Sequence, residues 1–343
     1  MSRGKKAAIA TGIVCVVFVI IFASVCAFVS STAINDFEAE EELRGWMGYL
    51  KDETLIKQAV IPGSHDAGSM GMFWLCETQN LTIKEQLDCG VRYFDMRIQK
   101  TKDDYVIFHG PGKGVSAEKV FSELREFISE QRSETLLLDF QHFKGDSEEG
   151  VARLISEYLG EYVLKNDSVK SDLEFIDELS IGEARGKCIV FWGSPSDAGR
   201  TADAGFFLRN DDNGGRADSC LTSFYDYRLN ILSPTDYVKK ALPEYMERNA
   251  KLRGITVLQG QLTDGFPVFT DKIKINVLGP RFQEGRHQYA MSDFVNGLKD
   301  SPSLDCVNII MRDYINPVKT YEIIRLNLFK NNVKEDCAEF FSR

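Results

Sequence analysis

Histidine is scarce in this chain: four among 343 residues, at positions 65, 109, 142 and 287. There is no CxxC pair and no cysteine–histidine spacing of a zinc ligand set, so a structural zinc site is not expected. Proline (9) and glycine (27) stand at ordinary levels, which excludes a collagen-like or low-complexity chain. No internal repeat of about 20–50 residues is present, which removes solenoids and propellers. Basic charge is in deficit, with 41 Lys and Arg against 51 Asp and Glu and a net charge of −10. A binder of phosphate backbones needs a basic surface, so nucleic acid is not an expected partner. What is present is 43% hydrophobic residues, enough for one large domain or two ordinary ones.

The chain has one long apolar run, AAIATGIVCVVFVIIFASVCAFV from Ala7 to Val29, without a charge. A membrane-spanning helix needs about 20 such residues. Arg3, Lys5 and Lys6 precede it and an acidic stretch follows. The basic flank predicts a cytoplasmic tail at 1–6, a signal anchor at 7–29, a linker at 30–44 and a globular body at 45–335 facing outside or into a lumen. The competing reading is secretion after cleavage near the small residues Ser31, Thr32 and Ala33. Without residues 1–29, which hold three basic residues and no acid, the net charge becomes −13. Six cysteines remain beyond the run, and disulfides and free buried thiols both fit them.

Beyond residue 50, short β-rich runs alternate with helix-period runs. Strands are predicted at 58–61, 92–98, 105–108, 135–140, 188–192, 255–259 and 307–312. Continuous apolar runs such as TLLLDF and CIVFW suit strands buried on both faces of a parallel sheet. Helical faces form from Val120, Phe121, Leu124, Phe127 and Ile128, and from Met291, Phe294, Val295 and Leu298; a last helix starts at Pro317. The stretch 194–219, rich in Gly, Asp and Ser, predicts a long loop. This alternation implies an α/β fold, a distorted TIM-like (β/α) barrel.

The polar residues at strand ends carry the chemistry. IPGSHDAG places His65 and Asp66 just past the first strand. RYFDMRI carries Asp95 and Arg97, two apart and therefore on one face. VIFHGP puts His109 at a strand end, LLLDFQHF supplies Asp139, Gln141 and His142, and IIMRDYIN supplies Asp313. In a barrel the C-terminal strand ends gather at one mouth. Two histidines, two or three aspartates and an arginine suit phosphodiester cleavage: one histidine takes a proton, an acid returns one, and the guanidinium holds the phosphoryl oxygens. His287, in a polar stretch, reads as solvated.

The ordered set IPGSHDAG, Thr78-Gln79, IKEQLDCGVRYFDMRI, FHG, SETLLLDF and RDYIN resembles the phosphatidylinositol-specific phospholipase C X-domain family in its small, single-domain, bacterial-like form, over roughly residues 45–330. The resemblance implies a distorted TIM barrel and intramolecular attack on an inositol phospholipid. It implies His65 as general base on the inositol 2-hydroxyl, Asp313 bracing it, and Arg97 stabilising the phosphorane-like charge. His109 with Asp66 would form the general acid, and Asp95 would position Arg97. The products would be diacylglycerol and a 1,2-cyclic inositol phosphate.

Departures limit the carry-over. Where bacterial members have lysines lining the inositol pocket, this chain has Gln141 and His142. An arginine expected on the next strand is missing near Trp192-Gly193, and Asp226 and Tyr227 match an inositol-binding region only loosely. Calcium-dependent members pair acids on the second strand and place Asn after the first histidine; here Arg97 and Asp66 stand there, so no calcium or other cofactor is expected. Phe73 and Trp74 offer apolar surface to a lipid interface, or else belong to an ordinary core helix. Two other classes stay open: a catalytically silent lipid-binding X-domain, and a glycerophosphodiester or phospholipase D-like barrel enzyme.

Overall fold

TLLLDF shows how the architecture is built. Leu136, Leu138 and Phe140 join a cluster with Phe121, Leu124 and Ile155. Leu137, between them, joins another with Tyr93, Ile189, Phe191, Val257 and Met311. Side chains two apart share a face of a strand, so one face packs on helices and the other fills a lumen. This computed structural model describes residues 41–193, 199, 204–210, 218–225, 233–262 and 279–343.

Ten strands run in chain order: β1 Ile61–Ser64, β2 Tyr93–Lys100, β3 Tyr105–His109, β4 Gly112–Ser116, β5 Thr135–Lys144, β6 Lys187–Trp192, β7 Phe206–Asn210, β8 Leu221–Ser223, β9 Ile255–Gln259 and β10 Ile309–Arg312. Eight of them pair in parallel in the order β1-β10-β9-β8-β7-β6-β5-β2, and pairing of β1 with β2 closes the barrel. β3 and β4 extend from β2 as an antiparallel hairpin outside the closed ring. His109 therefore sits at a hairpin turn beside the barrel, not at the end of a barrel strand. β7 lies within the stretch expected to be a loop, and β8 follows close behind it.

Helices cover the outside, and their ends are marked in the sequence. Thr82 caps α1, Ile83–Asp88, with Glu85 closing a capping box, and Ser116 caps α2, Ala117–Glu130. α3 is Gly279–Gly297. α4, Pro317–Ile324, has the expected proline at its first position and Asn316 as its cap. Met291, Val295 and Leu298 of the α3 region pack with Ile310 and Ile323 on the outer wall of β10.

The expected membrane anchor is not supported. No helix among the described residues is long and apolar enough to cross a membrane, and the run at 7–29 lies outside them. The localisation built on that run, a single-pass protein with an outward-facing body, is withdrawn. The six cysteines from Cys76 to Cys337 all carry free thiols.

Candidate active site

Where β1 ends, the chain must turn sharply, and Asp66 takes a left-handed conformation with φ of 44°. The turn is held from three sides. The Asp66 amide donates to Asp95 Oδ2 at 3.2 Å and the Ala67 amide to the Asp95 carbonyl at 2.8 Å. Gln79 Nε2 donates to the carbonyls of His65 and Arg312, both at 2.9 Å, while its Oε1 accepts from the Ile315 amide at 3.0 Å. Thr78 Oγ1 donates to the His65 carbonyl at 3.2 Å. The Thr78-Gln79 pair thus ties the end of β1 to the end of β10, a role that the sequence motif contained but did not reveal.

His65 is buried with one nitrogen on each side of its ring committed. Nδ1 lies 2.7 Å from Asp313 Oδ1 and Nε2 lies 3.2 Å from Asp66 Oδ2. Asp66 is the hub of the cluster: its Oδ1 is 2.7 Å from Arg97 Nε, and its Oδ2 is also 3.4 Å from His109 Nε2. Asp95 Oδ2 lies 3.9 Å from an Arg97 terminal nitrogen and 4.0 Å from His65 Nε2. His109 Nδ1 meets the Cys76 carbonyl at 2.9 Å, which fixes the ring with Nε2 toward Asp66. The two imidazole centroids are 6.3 Å apart. His65, Arg97, His109 and Asp313, expected to converge, come together around Asp66 and Asp95.

The charges shift one another. Burial opposes a charge on His65, yet Asp66, Asp313 and Asp95 outweigh it and raise its pKa to about 9. Burial likewise opposes ionisation of Asp66, but Arg97, His109, His65 and His142 hold it down at about 2. Burial raises Asp95 and Asp313 above the ordinary carboxylate range. His65, Asp66 and Asp95 place potential ligand atoms within 4.8 Å of one another, and Arg97 lies against that same cluster.

The remaining expected residues divide. Gln141 is buried on β5 and His142 is exposed, and the register of β5 shifts so that His142, not Gln141, pairs with Arg97. Phe73 and Trp74 are exposed, at 45% and 55%, in the segment that leads to Cys76. Asp226 and Tyr227 lie outside the described residues. Asp139 is buried in the lumen between the Tyr93 hydroxyl, which donates at 2.6 Å, and Arg209 Nε at 2.6 Å. Arg209 was not anticipated; a side chain at Gly193 would come within 2.9 Å of its Cδ, so the aliphatic stem of Arg209 passes where the small residue leaves space. His287 corrects the sequence reading: it is fully buried, with Nε2 on the Gly260 carbonyl at 3.2 Å, and burial lowers its pKa to about 4.

The family profile of the phosphatidylinositol-specific phospholipase C X domain matches residues 54–193, the half of the barrel that supplies five of the six clustered side chains. This stretch is similar to the X-domain family. A 1-phosphatidylinositol phosphodiesterase of Listeria monocytogenes is 33% identical over 101 residues, 27% of this chain and 31% of the relative. One from Staphylococcus aureus is 22% identical over 268 residues, covering 70% of this chain and 80% of the relative. A PI-PLC X-box domain-containing protein of Dictyostelium discoideum is 26% identical over 167 residues, 40% of this chain. The chain thus spans less than a third of the Listeria and Dictyostelium relatives, 31% and 22% of their lengths. The solved phosphatidylinositol-specific phospholipase C from Listeria monocytogenes superposes with a TM-score of 0.61 at 19% identity, over 83% of this chain and 98% of that one. At that identity the likeness is one of fold, and it extends the X-domain barrel through the half that the profile leaves unmatched.

Proposed function

We propose that this chain cleaves phosphatidylinositol-type lipids to diacylglycerol and 1,2-cyclic inositol phosphate, with its own side chains as acid and base and without a metal. The observation that carries the proposal is one carboxylate, Asp66, in contact with His65, His109 and Arg97 together. A binding module has no use for an acid and a base on opposite sides of a shared counter-charge.

In this mechanism Asp313 accepts a hydrogen bond from the His65 Nδ1–H and keeps Nε2 as the basic nitrogen. Nε2 takes the proton of the inositol 2-hydroxyl, whose oxygen attacks phosphorus. The diacylglycerol oxygen departs with a proton from His109. Attack from within the substrate brings the effective molarity of an intramolecular reaction, so no external nucleophile is required. The Arg97 guanidinium stabilises charge on the phosphoryl oxygens. It also opposes calcium: a divalent ion on Asp66 and Asp95 would share their oxygens with a fixed cation. The absence of a second acid at position 97 removes the ligand that such an ion would need.

Gln141 and His142 are assigned to the head group, since β5 sets His142 alongside Arg97 and Gln141 next to it in the chain. Phe73 and Trp74 are assigned to contact with the lipid surface, since both are exposed close to the segment that orients His109.

The test uses residues 41–343 with defined inositol lipids, with and without chelator, and phosphorus NMR of the products. Cyclic inositol phosphate released in chelator and abolished by His65→Ala supports the proposal. Lipid binding without product would make the chain a silent module. Glycerophosphate or phosphocholine release dependent on magnesium would make it a glycerophosphodiester or phospholipase D-like enzyme.

A further inference from the structure

The residue that braces His65 is itself gripped from behind. Asp313 stands one position past β10, and Tyr314 after it is forced into a left-handed conformation with φ of 44°. A turn of that kind persists only where its surroundings over-determine it. Lys319 does much of this: its ammonium donates to the Asp313 carbonyl at 2.9 Å and to the Tyr314 carbonyl at 2.7 Å. The Tyr314 amide donates to the Thr78 carbonyl at 2.7 Å, and its hydroxyl to the Glu77 carbonyl.

Lys319 is an unexpected residue for this place. It lies in the first turn of α4, where the helix dipole disfavours a cation, and it is only 5% exposed. Glu284, reaching in from α3 and 2% exposed, compensates it at 2.7 Å and also pairs with Arg312 at 2.9 Å. With Asp313 the cluster holds two cations and two anions between β10, α3 and α4. His287, one turn from Glu284 and packed on Tyr237, and Arg281, over the Tyr314 ring, are further ionisable groups beside it. Around them the packing is apolar, with Met291, Val295, Ile310 and Ile323. Replacing a buried ion cluster with well-packed apolar side chains is commonly neutral or stabilising, so stability alone does not account for this one.

We propose that Lys319 and Glu284 are positioning residues, which lock the Asp313 turn so that its carboxylate stays on His65 Nδ1. The proposal rests on the role assigned above to His65. Losing either group frees the turn, lengthens the His65–Asp313 hydrogen bond, and lowers both the basicity and the orientation of the imidazole. Support one residue removed from a reacting group is typically worth about 10- to 100-fold in activity.

The experiment compares wild type, Lys319→Met, Lys319→Arg and Glu284→Gln in the full chain. NMR of the His65 ring, recorded without substrate, reports its pKa and its Nδ1 proton, while lipid turnover reports kcat and KM. Expected are a His65 titration moved to lower pH, loss of the downfield Nδ1 proton, and kcat reduced about 10- to 100-fold with KM within two-fold. Lys319→Arg should restore part of each, because a guanidinium can still donate to both carbonyls. Variants that fold yet keep the wild-type His65 titration and Nδ1 proton would overturn the proposal. If Lys319→Met does not fold, Glu284→Gln and Lys319→Arg carry the same readout. Wild type that shows the ring signature but cleaves no inositol lipid would sink the functional proposal and leave this one standing.

Discussion

His65 Nδ1 and Asp313 Oδ1 lie 2.7 Å apart across 248 positions of sequence, joining the first barrel strand to the last. The contact exists because β1 and β10 are neighbours in register, with Ser64 opposite Arg312, so the residues just beyond them leave the barrel side by side. It decides which imidazole nitrogen is basic. Asp313→Asn keeps the shape but can hold the opposite tautomer, and should lower kcat by about 10²–10⁴-fold. The measurement is cyclic inositol phosphate formation by phosphorus NMR. Near-wild-type turnover would deny Asp313 its role.

The pH dependence follows from the same group. With the His65 pKa raised to about 9, the free enzyme carries the proton at neutral pH. The rising limb of kcat/KM should therefore lie above the ordinary imidazole range, with activity climbing as pH rises toward about 9. Stability runs the other way. A pKa raised on folding contributes stability that is complete below the unfolded value, near 6.5, and is lost as pH rises through about 9. Asp95 and Asp313, raised by burial, offset part of that contribution at neutral pH. The expected result is a thermal midpoint that falls between pH 7 and 9.5 in wild type and falls less in His65→Gln. An equal fall in both would show that His65 is not the group responsible.

Arg97 tests the metal question. Its Nε faces Asp66 at 2.7 Å, and a terminal nitrogen of the fork lies 3.9 Å from Asp95 Oδ2. Arg97→Lys retains a charge but not the planar fork, and should cost about 10²–10³-fold in kcat. Wild-type rates should be equal in chelator and in calcium. A rate that falls in chelator and returns with calcium would sink the metal-independent mechanism.

Much of this site was legible because it depends on local alternation. Asp95 and Arg97 share a face of β2 for the same reason that Leu137 and Asp139 share the lumen face of β5. What alternation misreads is a bulge. Strict period-two counting sets Gln141 beside Arg97, and the extra residue in β5 gives that place to His142. β7, five residues long, was hidden in a Gly- and Asp-rich stretch, and β8, just past it, has only three residues in which to show a period. The buried cluster behind Asp313 was equally hidden. A lysine in a first helical turn, and a glutamate and histidine among polar neighbours, look like a solvated surface until α3 and α4 are folded against β10. The left-handed turn at Asp66 has no mark in the sequence beyond the motif that contains it.

Two glycines with opposite surroundings give a stability prediction from space alone. A Cβ on Gly63, in β1 two residues before His65, would lie 2.8 Å from Tyr93 Cδ1, 3.1 Å from Ile309 Cγ2 and 3.3 Å from the Met311 Cα. All three belong to strands paired with β1, two in side chains and one in backbone, so little can move aside. Gly63→Ala should destabilise the barrel by about 1–3 kcal/mol and disturb His65 with it. Gly297, at the end of α3, meets nothing within 4 Å and has ordinary helical angles, with φ of −74° and ψ of −19°. Gly297→Ala should stabilise by about 0.4–1 kcal/mol, through the lower entropy of the unfolded chain. Thermal and denaturant unfolding of the two variants should move in opposite directions from wild type. A neutral Gly63→Ala would mean that β1 does not pack against Tyr93 and β10 as closely as the lumen geometry requires.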